Sequence, residues 1–389
     1  MNMNRIVIVI AVLAGLAPAK AQTNLQSYAR WEHGISADSN YFPIAVWLQD
    51  PRNAGRFQEI GINLFVGLWE GPTAGQLAAL KAAKMPVICE QNSAALSDPN
   101  RDIIVGWMHG DEPDNAQERP GGIGYGPPIE PKKIVADYRR IVAADPTRPV
   151  MLNLGQGVAW DGYFGRGVRT RHPEDYAAYL EGCDIASFDI YPVTHDSAEV
   201  AGKLEFVAHG VDRLREWSGG KRIVWNCIEC TRISNVNVKP TPEQVRGEVW
   251  MSLIHGSRGL IYFVHQFKPK FIEAGLLADA EMARAVGEIN RQIRELAPVL
   301  NSASITCAVM VTTSAGDGQI DTMVKRAGDV TYIFAVNMRN KPATAAFQFL
   351  PASASEAGIL GENRDLKISG GKFSDEFSPY AVHLYRLKK

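Results

Sequence analysis

Eight short apolar runs recur between residues 42 and 265, each followed by polar or helix-favouring sequence. They span 42–48, 62–68, 86–91, 103–107, 149–154, 185–191, 222–228 and 260–265. Most are hydrophobic throughout rather than alternating, as in strands covered on both faces. The segments between them carry helix signals. Residues 74–84 are rich in strong helix formers. Residues 131–144 open on a proline and repeat apolar side chains at Ile134, Val135, Tyr138, Ile141 and Val142, one face of a helix. Thr241-Pro242-Glu243 is a cap, a first-turn proline and a first-turn acid, starting a helix to about His255. Residues 280–299 form the longest amphipathic run, and 92–102 has room for at most one short helix. Strands alternating with helices imply parallel pairing through right-handed crossovers. Eight such units over 42–299 match the ~250 residues of a (β/α)₈ TIM barrel. An open doubly wound sheet would often carry a glycine-rich phosphate turn after its first strand, and Leu48-Gln49-Asp50-Pro51 has none.

The pattern changes after Val299. Short runs at 305–313, 322–325, 330–337, 344–349, 366–369 and 380–387 are separated by Gly, Asp, Asn and Pro, which predicts an antiparallel β-sandwich over 300–389. No low-complexity linker intervenes, so the two units are expected to pack directly. At the other end, Arg5, an apolar core at 6–16 and Ala19-Lys20-Ala21 read as a signal peptide over 1–21, with Gln22 as the mature start. The apolar core is too short to span a bilayer. The expected organisation is a signal peptide (1–21), a catalytic barrel (22–299) and a sandwich (300–389), in a protein secreted or held in a periplasm. Removing Arg5 and Lys20 leaves 39 basic against 42 acidic side chains. So slight a charge points to neither nucleic acid nor an anionic membrane. Of the five cysteines, Cys227 and Cys230 have the spacing of a redox or zinc pair. They straddle a strand end where positions three apart face opposite ways, and no second pair completes a zinc site.

Barrel active sites lie at the C-terminal ends of the strands, and carboxylates there need partners. The candidates are Glu70 after strand two, Glu90 in strand three, Asp111 and Glu112 after strand four, Asp189 in strand six and Glu229 after strand seven. Glycoside hydrolysis uses two carboxyl groups flanking the scissile bond, roughly 5–5.5 Å apart for retention and 6.5–9.5 Å for inversion. Strands four and seven lie on different sides of an eight-membered ring, so Glu112 and Glu229 could meet across its mouth. Substrate contacts are expected from Trp69, Glu70, Asp111, Asn153, Trp160, Asp189, Tyr191 and His265. Trp107, Tyr163 and Phe164 are further strand-end aromatics. The loop 118–131, with four Gly and four Pro, follows Glu112 closely and could wall the cleft. His109, His195 and His265 with Asp189 could instead ligate a metal, but strand one lacks the His-x-His of metal-dependent barrel hydrolases. No Gly-x-Ser-x-Gly turn supports a serine nucleophile. Neither metal nor cofactor is therefore expected.

With its glutamates after strands four and seven, the chain resembles the clan of retaining (β/α)₈ glycosidases that carry the acid/base on strand four and the nucleophile on strand seven. The resemblance covers the barrel, and an appended sandwich is common in that clan. It implies Glu112 as acid/base, Glu229 as nucleophile and Tyr191 as a hydrogen-bond partner of the nucleophile. Asp111 stands where the clan usually has an asparagine donating to the substrate 2-hydroxyl, and an ionised Asp can only accept there. The expectation is an exported glycosidase acting on an oligo- or polysaccharide by retention. A carbohydrate-binding barrel without catalysis is the alternative, ahead of a metal-dependent hydrolase.

Overall fold

A computed structural model describes residues 27–314, 319–349 and 354–388. The expected signal peptide lies outside the described residues. Eight strands form the barrel: β1 Ile44–Trp47, β2 Leu64–Val66, β3 Val87–Glu90, β4 Ile104–Met108, β5 Val150–Leu154, β6 Ile185–Phe188, β7 in two pieces, Ile223–Val224 and Asn226–Glu229, and β8 Leu260–Phe263. Each pairs in parallel with its neighbours in sequence, and β8 returns to β1 through Ala45 opposite Ile261. The two pieces of β7 are one stave. The first pairs with β6 and the second with β8, so the ring closes at Trp225.

The lumen is filled by Ala45, Trp47, Leu64, Val66, Ile88, Met151, Ile185, Trp225, Cys227 and Ile261, among others. The outward faces of the strands pack against the helices in a second, larger core. Burial on both faces is why these strands read as unbroken apolar runs. Tyr28 and Ile35 belong to the lumen cluster. The Tyr28 hydroxyl donates to Arg258 O at 2.9 Å and accepts from Trp225 Nε1 at 2.8 Å, which ties the entering chain to the barrel floor. Gly259 makes room for that indole, since a Cβ there would lie 2.3 Å from Trp225 Cε2.

The helix signals resolve as expected at Ala74–Ala83, Pro131–Ala144 and Pro242–His255. Thr241 and Gln244 cap the last of these reciprocally. The run 280–299 breaks into Ala280–Glu295 and Ala297–Leu300, where Pro298 has no N–H to continue the ladder. The C-terminal region is a three-stranded antiparallel sheet and a five-stranded one, the expected sandwich. Two of its strands, Glu356–Ile359 and Lys372–Phe377, go beyond the sequence reading. Lys372–Phe377 points Phe373, Asp375 and Phe377 inward, and the acid hides the apolar alternation. Arg364, His383 and Tyr385 all donate to Asp375. Burial opposes its charge, but these donors outweigh that and hold the carboxyl well below its ordinary range. The sandwich packs directly on the barrel, with Trp250 of helix Pro242–His255 5.2 Å from Phe334 between ring centroids.

Helix Glu205–Trp217 sits on β6 through Gly210, where a Cβ would lie 2.2 Å from Phe188 Cε2. Gly210→Ala is expected to destabilise the protein by about 1–3 kcal/mol through overpacking. Gly75→Ala, in a helix with nothing near its Cβ, should leave stability unchanged or raise it by up to about 1 kcal/mol. Thermal melts of the two variants check this, and equal shifts would contradict the packing account.

Candidate active site

Three carboxyl groups meet at the C-terminal mouth. Asp111 and Glu112 lie on the turn that follows β4, and Asp189 directly follows β6. A relay across three adjacent strands positions Asp111: Ser187 Oγ of β6 donates to Asn153 Oδ1 of β5 at 2.7 Å, and Asn153 Nδ2 donates to Asp111 Oδ1 at 2.9 Å. Glu112 is held left-handed, at φ +42°, and Asn115 Nδ2 donates to its Oε2 at 2.7 Å. Leu48 after β1 and Glu70 after β2 are also left-handed, at φ +49° and +51°. Such backbone strain in non-glycine residues persists where the surroundings over-determine it and clusters at functional sites.

The carboxyls of Glu112 and Asp189 are in hydrogen-bonding contact. Asp189 Oδ1 is buried and meets no N–H or O–H donor. Two carboxylates in contact cannot both stay ionised, so the pair shares a proton. Burial, then the charges of Asp111 and Asp114, push the Glu112 carboxyl up to about 7. Burial and the charge of Glu112 push Asp189 well above its ordinary value. Asp111 rises to about 6, chiefly by desolvation, although it is open to solvent. A side chain with one face in solvent and its others against protein reconciles the two. Beneath them Asp114 is wholly buried and accepts from Gly155 N–H and the Tyr176 hydroxyl, both at 2.9 Å, fixing the β5 loop to the β4 turn.

Glu229 is not in this group. It has 0 % exposure. Its Oε1 accepts from Val193 N–H at 2.5 Å, and its Oε2 from Thr194 N–H at 3.1 Å and Thr194 Oγ1 at 2.8 Å. Its remaining neighbour is Glu248 of helix Pro242–His255, also wholly buried, with which it shares a proton. The side chain of β7 that faces the three carboxyls is Cys227, which lies in the lumen cluster and feels the charges of Asp189, Asp111 and Glu112. Glu229, two residues on and still paired with Phe263 of β8, turns its carboxyl toward the loop after β6. The carboxyl in contact with Glu112 is therefore Asp189 and not the strand-seven Glu229 expected from the sequence. The Tyr191 hydroxyl, expected on Glu229, is 3.4 Å from Asp189 Oδ2.

The other expected contacts divide. Trp69 is 70 % exposed, and Glu70 beside it is exposed too. Asn153 is buried and acts on Asp111. Trp160 is buried, donates from Nε1 to Glu199 at 2.8 Å and packs edge-on against His195, so it is a packing residue and not a cleft platform. His265 is buried 3.2 Å from Gln49 Nε2, under Phe267 and Phe271. Exposed aromatics absent from the expected set of contacts are Tyr125, Phe267 and Phe271, and Phe164 is 79 % exposed. The 118–131 loop closes on itself through a bridge between Glu118 and Tyr125. Asn115 and Ser187 were also missed. Ser187 could have been found from strand alternation, two residues before Asp189 on the same face. His109 donates to Gly182 O, His195 to Gln156 Oε1, and His265 meets Gln49. Among the described residues no three His, Cys, Asp or Glu side chains are placed to hold a metal. Cys227 and Cys230 are free and fall in different cores, as strand alternation requires.

The Glyco_hydro_42 family model, described as beta-galactosidase, matches residues 136–302. The matched stretch contains Asp189 and Glu229 and begins after Glu112. No curated protein matches the chain in sequence. Among solved structures, a candidate α-galactosidase of Bacteroides fragilis superposes with a TM-score of 0.55 at 11% identity, covering 90% of this chain and 80% of that one. A second candidate α-galactosidase/melibiase from the same organism gives 0.55 at 9% identity, over 90% and 79%. A maltogenic α-amylase of Thermotoga neapolitana gives 0.50 at 9% identity, over 90% and 99%. These likenesses establish the fold.

The buried Glu229–Glu248 pair makes stability pH-dependent. Burial raises both carboxyls, Glu229 to about 7 against its donors from Thr194 and Val193. A carboxyl raised on folding contributes fully below its unfolded value, about 4.3, and that contribution is lost as pH climbs through the folded value. The melting temperature should fall between roughly pH 5 and 8, and Glu248→Gln should flatten the fall. A pH slope unchanged by the substitution would show that the pair does not share a proton.

Proposed function

We propose that the chain is a glycoside hydrolase whose working carboxyls are Glu112, Asp189 and Asp111. The observation that carries this reading is the proton-sharing contact between Glu112 and Asp189 at the barrel mouth. Protonating a glycosidic oxygen needs a carboxylic acid that is still neutral near pH 7. Glu112 meets that need because burial and its acidic neighbours raise it to about 7. Asp189 is the positioning partner: their contact raises Asp189 and lowers Glu112, so Asp189 keeps its proton and Glu112 is the acid of the pair that gives one up first. Asp111 is open to the cleft, fixed by Asn153, and titrates lower, so it takes the anionic role at the anomeric carbon. After burial, its charge is the largest influence on Glu112, while Asp189, not Asp111, is the carboxyl in hydrogen-bonding contact. Double displacement through Asp111 is the mechanism favoured, and it requires the Glu112 and Asp111 carboxyls to stand roughly 5–5.5 Å apart about the substrate. Displacement through Glu229 does not fit, because a wholly enclosed carboxylate cannot reach substrate.

Trp69, Tyr125, Phe164 and Phe271 are exposed in the loops after β2, β4, β5 and β8, at the strand-end face that carries the carboxyls. This supports an oligo- or polysaccharide substrate. The composition of residues 1–21 supports export, and N-terminal sequencing of the secreted form should begin at Gln22.

A panel of aryl glycosides and natural oligosaccharides tests the reading. On unactivated substrates Glu112→Gln should lower kcat/KM about 10²–10⁴-fold, and much less on aryl glycosides with good leaving groups. In the wild type kcat/KM should fall as pH rises through about 7, as Glu112 loses its proton. Asp111→Asn should impair both substrate types, and the anomer first released, read by proton NMR, should be the retained one. Glu229→Gln should keep kcat within a few-fold of wild type while shifting the melting temperature. Loss of turnover in folded Glu229→Gln as deep as in Glu112→Gln would overturn the assignment. Saturable glycan binding without cleavage would make the protein a carbohydrate-binding barrel instead.

A further inference from the structure

The opposite end of the molecule holds a cavity of about 810 Å³ between the barrel floor and the sandwich. Three cations line it: Arg215 from helix Glu205–Trp217, Arg258 from the turn before β8, and Lys325 from sandwich strand Ile320–Ala327. Lys325 is only 4 % exposed. Its ammonium donates to Leu300 O at 3.0 Å and Ser302 O at 2.6 Å, which uses two of its three protons. Arg215 donates one N–H to His255 O at 2.7 Å. Arg258 Nε is buried and has no acceptor.

Among the described residues no carboxylate answers these charges. Asp38 is the acid on the cavity wall, and its Oδ1 accepts from Asn40 N–H and Asn40 Nδ2. Asp212 and Asp321, nearby in sequence, both pair with His255. Among the described residues none of the three cations has a salt bridge. Burial first, then Arg258 and Arg215, lower the Lys325 ammonium to about 7, so the three sit close enough to repel. Buried cations are normally paired, and an unpaired N–H in such a place is costly. A small anion would satisfy the guanidinium fork of Arg258 and the third proton of Lys325 together.

We propose that this cavity is a binding site for a tetrahedral oxyanion, a phosphate or sulfate group, held by Arg258, Arg215 and Lys325 across the seam between barrel and sandwich. The site draws on both units, so its occupancy should stabilise their packing. It is remote from the carboxyls at the mouth and stands or falls independently of the glycosidase reading.

Calorimetric titration of the full chain with inorganic phosphate, inorganic sulfate and glucose 6-phosphate, at constant ionic strength in sodium chloride, tests this. One saturable site per chain and a rise in melting temperature are expected. Binding of the inorganic ions marks a free-ion site, and binding of the sugar phosphate alone marks a phosphorylated-carbohydrate site. Arg258→Gln should weaken binding about ten- to hundredfold. Arg215→Gln, at a partly exposed position, provides a second variant if the first misfolds. No saturable binding of any of the three ligands up to about 10 mM would overturn the proposal. So would binding undiminished in both variants.

Discussion

A parallel sheet without edges must find every backbone partner within itself, and the rest of this protein depends on how β7 achieves that closure. Its first piece pairs with β6 and its second with β8, with Trp225 between them turned into the lumen. That indole needs Gly259 beside it and the Tyr28 hydroxyl below it. The closed ring then has a plugged floor and an open mouth. Every strand end after β4, β5 and β6 delivers its side chains to one place, which is what brings Asp111, Asn153 and Asp189 into a single hydrogen-bonded group with Glu112.

The molecule buries two pairs of carboxyls that each share a proton, and the contrast between them separates chemistry from architecture. Glu229 has three donors from the loop after β6 and no solvent, so its charge is neutralised locally and spent on tying that loop to the sheet. Glu112 and Asp189 have few donors, a left-handed backbone at Glu112, and an ionisable neighbour in Asp111 open to the cleft. Acids next to solvent can exchange a proton with a ligand, whereas acids sealed from it, as Glu229 and Glu248 are, cannot. The same contrast recurs among cations. Arg148 is buried but paired with Asp145 and two carbonyls. Arg258 at the base is buried at Nε with nothing to receive it.

Much of the fold was legible because its physical causes are local. Unbroken apolar runs follow from double-sided burial, and Thr241-Pro242-Glu243 marks a helix start through its own backbone chemistry. The strand Lys372–Phe377 was missed because its inward Asp375 is tolerated through Arg364, His383 and Tyr385, which lie outside that strand on both sides of it in sequence. Trp160 is expected among the substrate contacts from its place after a strand end, yet Glu199, 39 residues away, accepts its N–H and holds it buried.

The sequence by itself determined that eight strands would alternate with helices, that acids would sit at the ends of strands four, six and seven, and that Glu112 would lie at the mouth. Period, composition and capping are properties of neighbouring residues, so they can be read along the chain. Which acids would face one another was decided only by the tertiary structure. The direction taken by the last residue of a strand depends on twist, on the adjoining loop and on which donors reach it. At β7 those contacts turned Cys227 toward the site and enclosed Glu229 behind the β6 loop, leaving Asp189 as the carboxyl that meets Glu112.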